Sequence, residues 1–222
     1  MINIFYILPF FIALLAYEGK ALTVLGGITG ILLAYVVLIL RDEKWFLILF
    51  FFFVIASIAT RYKEDKKSKY EIVKKIRGPE HILANGGVAL IATVIGNPFL
   101  FIGSLSTSLA DTMSSEIGML SKKKPVMITT FKKTRTGVNG GITRLGNTVA
   151  LLSAFSLGLL SLIIVPHYSV VLISTVSGFL GMLIDSVIGA VWENRNIIGN
   201  NATNFIASLS GGLIACILSY FI

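Results

Sequence analysis

Apolar residues in this chain come in long unbroken runs separated by short polar stretches. The runs are Ile2–Tyr17, Ala21–Leu40, Trp45–Thr60, Ile82–Gly96, Pro98–Leu120, Gly146–Val165, Tyr168–Trp192 and Asn201–Ile222. A helix needs about 20 mostly apolar residues to cross the hydrocarbon core, and several of these runs approach that length. Continuous runs argue against a β-barrel, whose strands alternate. The pattern predicts an all-α, polytopic transmembrane helical bundle of about seven or eight spans, organised as one domain. Ile82–Gly96 is short enough to be tilted or half-inserted. Asn97–Pro98 and Val165–Pro166 read as turns at two connections on one side. Trp45 and Trp192 read as interfacial anchors. The run from Ile2 lacks a basic leader and an A-x-A exit, so it reads as a retained first span.

Composition agrees. Of 222 residues 55% are hydrophobic and 14% charged, with a mean hydropathy of +0.86. Soluble domains carry about 25% charged residues. The net charge is +8, and eight of the 19 Lys/Arg lie between Arg61 and Arg77, with seven more between Lys122 and Arg144. The positive-inside rule puts both basic loops in the cytoplasm and both termini on the other side. Residues 61–77 interrupt their charges with Tyr62, Tyr70, Ile72, Val73 and Ile76. That spacing fits a short amphipathic helix on the cytoplasmic leaflet, and a solvated linker fits as well. Cys216 stands alone, which excludes an intramolecular disulfide and a cysteine metal cluster.

Three acids interrupt the apolar runs: Asp111, Glu116 and Asp185. A charge at bilayer depth costs roughly 2.5–3.5 kcal/mol on insertion scales, so such acids face polar cavities and are functional candidates. All three fall near the basic side of their runs. Acids beside bases at one membrane face point to a divalent metal and a polyanionic substrate. Asp111 and Glu116 are five residues apart, about 140° around a helix, so they share one ion only if the helix bends. Asp111 and Asp185, from separate helices, suit Mg²⁺, which takes one or two carboxylates and accepts phosphate oxygens.

The second basic loop, KKTRTGVNGGITRLGN from Lys132, combines Lys132, Lys133, Arg135 and Arg144 with glycines, Asn and Thr. Backbone N–H groups in such a loop form anion-binding nests, and the helix that follows favours phosphate at its N-terminus. A flexible connector carrying topology charges is the plain alternative. There is no Walker A motif. Asn85, Asn201 and Asn204 mark polar span ends that bind a ligand or cap helices. Asn85-Gly86-Gly87 and Asn139-Gly140-Gly141 each precede two runs, the second carrying Asp111 or Asp185. That order reads as a weak internal repeat, or as chance among 21 glycines. Gly26 and Gly30 form a GxxxG pair, most simply a packing or dimer contact.

Four motifs in order carry a family resemblance: HILANGG at 81–87, ADTMSSEIG at 110–118, TGVNGGIT at 136–143 and GMLIDSVIGA at 181–190. The chain resembles the integral-membrane phytyl-phosphate kinase family, and more distantly polyprenol kinases and CDP-diacylglycerol synthases. The resemblance covers residues 77–204, leaving 1–60 as generic spans. It implies a multi-pass enzyme of the cell membrane with its active site facing the cytoplasm. The implied reaction is CTP-dependent, Mg²⁺-assisted phosphoryl transfer to a prenyl monophosphate, giving the diphosphate and CDP. Asp111, Glu116 and Asp185 would be the acidic metal-site residues. Thr136, Asn139, Gly140, Gly141 and Thr143 would form the nucleotide loop with Lys132, Lys133 and Arg135. Asn85 and Gly86 would line the same cavity, and Asn204 is a further candidate for nucleotide binding. Met113 and Ser114 depart slightly from the usual residues between the Asp and Ser of that motif.

Three alternatives stand beside this reading. A cytidylyltransferase would use the same site and release pyrophosphate. A secondary transporter would couple ions through the buried acids, although they cluster toward one face. A purely structural protein leaves three acids unexplained. No nucleic-acid partner is expected, and the small-residue spans fit a homodimer.

Overall fold

The computed structural model describes residues 4–70 and 76–221. Among these the chain is helical: α1 (Leu8–Glu18), α2 (Val24–Leu40), α3 (Glu43–Arg61), α4 (Glu64–Lys67), α5 (Pro79–Ile95), α6 (Pro98–Gly118), α7 (Arg144–Ser161), α8 (Ser169–Val191) and α9 (Asn200–Ser219). Each apolar run holds one helix. Its ends follow local chemistry. Thr23 caps α2 by accepting from Gly26 N at 3.0 Å, and Asp42 caps α3 by accepting from Lys44 N at 2.9 Å. Asn97 does the same for α6 through Leu100 N at 3.0 Å, with Pro98 supplying the preset first turn. Gly96 ends α5 in the left-handed region at φ +76°, where Arg41 Nε closes the helix by donating to Thr93 O at 2.7 Å.

Helix α6 is the axle. It packs against α3, α5, α7, α8 and α9, and every residue from Leu100 to Ala110 is buried. Its hydroxyls serve this packing. Ser106 Oγ donates to Ser174 O at 2.8 Å, and Ser174 Oγ donates to Ala154 O at 3.0 Å. Thr107 is wedged between Gly181 of α8 and Gly211 of α9, where an added Cβ on either glycine collides with its Oγ1. Small residues bring the backbones close, and hydroxyls join them where no water reaches.

Glu43–Arg61, Ser169–Arg195 and Asn200–Ser219 are long and apolar enough by themselves to cross a bilayer. The helices at Val24–Leu40 and Pro79–Ile95 and the segment Ile4–Glu18 are apolar but shorter. Helices α6 and α7 are as long but more polar, and Ser104, Ser106, Thr107 and Ser108 of α6 with Ser153 and Ser161 of α7 are buried against neighbours. The expected count of about seven or eight spans therefore rests on three helices that qualify unaided. The outer surface is apolar, with Ile28 and Leu32 of α2, Leu152 of α7 and Leu213 of α9 exposed.

Two local expectations are corrected. Trp45 is buried at 7% exposure against Phe101, with ring centroids 4.6 Å apart, because α3 turns that face onto α6 and not toward an interface. The amphipathic helix expected over 61–77 is broken early: Lys63 turns left-handed at φ +51° after α3 ends, and α4 is a single turn. Residues 71–75 lie outside the described residues.

The second basic loop holds a short antiparallel ladder that the helical reading did not anticipate. Strand β1 (Val126–Met127) pairs with β2 (Gly141–Ile142), Val126 opposite Ile142. The two basic loops meet: a Cβ on Gly137 would stand 3.1 Å from Tyr70 O. Both therefore border the bundle end where α3 and α6 finish and α5, α7 and α9 begin. Among the described basic residues, Arg41 and Lys44 belong to the opposite end.

Candidate functional site

The two aspartates meet. Asp111 of α6 and Asp185 of α8 come from the returning helices of two hairpins, and their carboxyl groups are within side-chain hydrogen-bonding reach of one another. Asn204 of α9 is buried beside them. With its amide nitrogen turned inward it donates to Asp185 Oδ2 at 3.3 Å and to Asn200 O at 3.2 Å. The sequence treats Asn204 as a ligand-binding residue, whereas here it orients Asp185. Two facing carboxylates repel when both are ionised, and a shared proton or a cation between them relieves the repulsion.

Glu116 takes another partner. It forms an ion pair with Lys67 of α4, whose ammonium also donates to Ala59 O at 2.9 Å and Thr60 O at 2.5 Å. The 140° offset from Asp111 (about 100° per residue) is not removed by a bend, since α6 stays helical through Gly118. Glu116 therefore sits within electrostatic range of Asp111 while closing its contact elsewhere. Glu193, in the helical turn after α8, acts electrostatically on both Asp111 and Asp185.

Among the described residues no group of three or more His, Cys, Asp or Glu side chains converges as metal ligands. The donor set is a carboxylate pair; elsewhere among the described residues, Asn147 Oδ1 in the first turn of α7 is buried without a hydrogen-bond partner. Carboxylate oxygens suit a hard cation that keeps its waters and shares phosphate oxygens.

The glycine loop docks beside this pair. Gly140 has φ +80°, and a Cβ there would stand 2.5 Å from Ala190 Cβ and 2.7 Å from Ser186 O. Only glycine allows so close an approach of the loop to α8, one turn beyond Asp185. Asn194 Nδ2 secures the loop by donating to Asn139 O at 2.9 Å. Thr143 caps α7 by accepting from Gly146 N at 2.9 Å. Lys132, Lys133 and Arg135 are exposed, and Thr136 is half-buried. The first NGG has a different backbone. Asn85 and Gly86 lie inside α5, where Ser108 Oγ of α6 donates to Asn85 O at 3.0 Å. They line an apolar cavity that also reaches Thr112, one residue and about 100° around α6 from Asp111. The polar residues thus fall into two sets flanking one helix. Asp111 belongs to the α8 side and its neighbour Thr112 to the cavity.

Arg77 closes the cavity's polar end and donates to Thr60 Oγ1 at 2.6 Å. Burial draws its guanidinium below the ordinary value, and the charge of Glu116 opposes that shift.

Comparison with known proteins adds a family. Residues 7–212 match the family described as integral membrane protein DUF92. An uncharacterized membrane protein of Methanocaldococcus jannaschii is 31% identical over 213 residues, covering 93% of this chain and 90% of its own. Protein PGR of Arabidopsis thaliana is 28% identical, covering 95% of this chain and 93% of its own. The chloroplastic protein VTE6 of Arabidopsis thaliana is 27% identical, covering 80% of this chain and 59% of its own. No solved structure matches.

Proposed function

The chain belongs to the integral membrane protein family DUF92, and from that premise we propose that it is a CTP-dependent prenyl-phosphate kinase. The observation that carries this reading is the position of Asp111. It meets Asp185 of α8, the helix on which the basic, glycine-rich loop docks, and its neighbour Thr112 lines an apolar cavity with a polar end. A nucleotide triphosphate fits the first and an isoprenoid phosphate the second, so the two substrates would meet across one turn of α6. The motif resemblance to phytyl-phosphate kinases points the same way.

Asp111 and Asp185 would hold Mg²⁺. The ion supplies charge neutralisation on the nucleotide phosphates. The rest falls to the protein. Lys132, Lys133 and Arg135 attract the triphosphate, and the loop around Gly140 presents backbone N–H groups to it. Asn204 fixes the Asp185 carboxyl. The acceptor is already a phosphate monoester with a nucleophilic oxygen, so positioning and charge suffice and no strong general base is needed. The basic end of the bundle faces the cytoplasm in this reading, with about seven or eight crossings.

The test is direct. Purified protein in detergent receives Mg²⁺, geranylgeranyl or phytyl phosphate, and each of four nucleoside triphosphates. The kinase reading expects prenyl diphosphate and CDP, with CTP preferred. Release of pyrophosphate with a CDP-lipid identifies a cytidylyltransferase instead. Absence of either product, with Asp111 accessible alternately from both sides, identifies a transporter.

A further inference from the structure

The first three helices are generic in sequence, yet they build most of a compartment. Ile12 of α1, Leu33 of α2, and Phe46, Phe50 and Phe53 of α3 wall an apolar cavity of about 100 Å³. One end is polar, formed by Arg77, His81, Asn85 and Thr112. An empty apolar cavity costs stability in proportion to its volume. Helices free to slide in lipid would close over it, but side chains are missing from one wall. A Cβ on Gly30 would meet nothing within 4 Å, and one on Gly27 would make only an ordinary 3.8 Å contact with Ala13. The GxxxG pair of α2 is therefore divided in its duties. Gly26 packs on the carbonyl of Arg77, where a Cβ would stand 2.5 Å away, whereas Gly30 leaves room.

Arg77 is held from three directions. Its N–H donates to Ala21 O and its carbonyl accepts from Thr23 N, each at 3.1 Å, and its guanidinium donates to Thr60 Oγ1 at 2.6 Å. A fixed cation thus stands at the mouth of an apolar trough, near Thr112 and so one residue from Asp111 along α6. That arrangement complements a molecule with an anionic head and a long hydrocarbon tail.

We infer that this cavity is the tail site for an isoprenoid monophosphate, with Arg77 receiving the phosphate and Gly30 setting the chain length admitted. The inference deepens the kinase reading and takes from it the identity of the acceptor. It assigns α1 to α3 to substrate selection.

The test uses the full chain in phosphatidylcholine nanodiscs and a geranylgeranyl phosphate probe carrying a diazirine on its tail. Photolysis and mass spectrometry locate the label. The inference expects labelling on the walls from α1, α2 and α3, competed by unlabelled geranylgeranyl phosphate and not by phosphatidylglycerol. Gly30→Leu adds bulk to open space and improves helix propensity, so folding is preserved. It should weaken labelling by roughly tenfold relative to a shorter geranyl phosphate probe. Arg77→Gln should weaken the phosphate probe and spare the matching isoprenoid alcohol probe. Label elsewhere, equal competition by phosphatidylglycerol, or indifference to Gly30→Leu overturns the assignment. Labelling needs no turnover. Correct labelling without diphosphate formation removes the kinase reading alone, and diphosphate formation without cavity labelling removes the tail site alone.

Discussion

Replacing Lys67 with Met removes one charge and keeps most of the stem that fills its site. The Lys67 side chain is 3% exposed and that of Glu116 14%, so the variant leaves a carboxylate with little water and no ammonium. Breaking a buried pair from one side costs about 3–5 kcal/mol. Arg77 also acts on Glu116, which sets the expected loss at the low end, near ~3 kcal/mol. The carbonyls of Ala59 and Thr60, at the end of α3, lose a donor as well. Against a total stability of about 5–15 kcal/mol, this lowers the folded-to-unfolded ratio by roughly two orders of magnitude. Adding Glu116→Gln removes the buried charge and should recover most of the loss, leaving about 1 kcal/mol for the missing hydrogen bonds. The assay is the midpoint of SDS or thermal unfolding in detergent for wild type, single and double variants. Diphosphate formation is a second readout on the double variant. If Glu116 serves Lys67 and not the metal, the double variant folds and turns over. Lys67→Met with wild-type stability, or a double variant no better than the single, refutes the reasoning. A well-folded but inactive double variant returns Glu116 to the metal site.

Other substitutions test neighbouring parts. Asp111→Asn and Asp185→Asn should each lower turnover by roughly a thousandfold or more, the scale of a lost electrostatic contact to the transition state, while both elute as folded protein on size exclusion. Gly140→Ala places a side chain at φ +80° and against Ala190; it should lift the loop from α8 and raise KM for the nucleotide more than it lowers kcat. Gly211→Ala drives a methyl group into Thr107 and should cost about 1–3 kcal/mol. Thr107→Ala in the same chain should return part of that loss, as a double-mutant cycle of unfolding midpoints would register.

Some of this was readable from the chain alone. Unbroken apolar runs located each long helix, because in lipid every backbone group must bond within its own helix. Pro98 and Gly96 marked real ends. The Asp111–Asp185 meeting also followed from the cost of isolated acids at depth, which favours their convergence. Long-range partners were not readable. Lys67 lies 49 residues from Glu116, and nothing in a basic stretch of several lysines distinguishes the one that turns inward. The β1–β2 ladder was hidden because two residues per strand carry no periodicity. The cavity was hidden because wall and packed core use the same apolar side chains, and Gly30, which reads as half of a packing pair, leaves room instead. Trp45 misled because its place near a run's start fits an interface as well as a core.

The encirclement of α6 bears on how the protein is made. A segment this rich in serine and threonine, with an acid near its end, has no favourable partition into acyl chains when released by itself. It must leave the translocon alongside α5, as a hairpin across the Gly96–Asn97 corner, and wait there until α7, α8 and α9 are synthesised. A pause in translation after Gly118 should therefore expose the nascent chain to quality-control proteases more than a pause after Arg61.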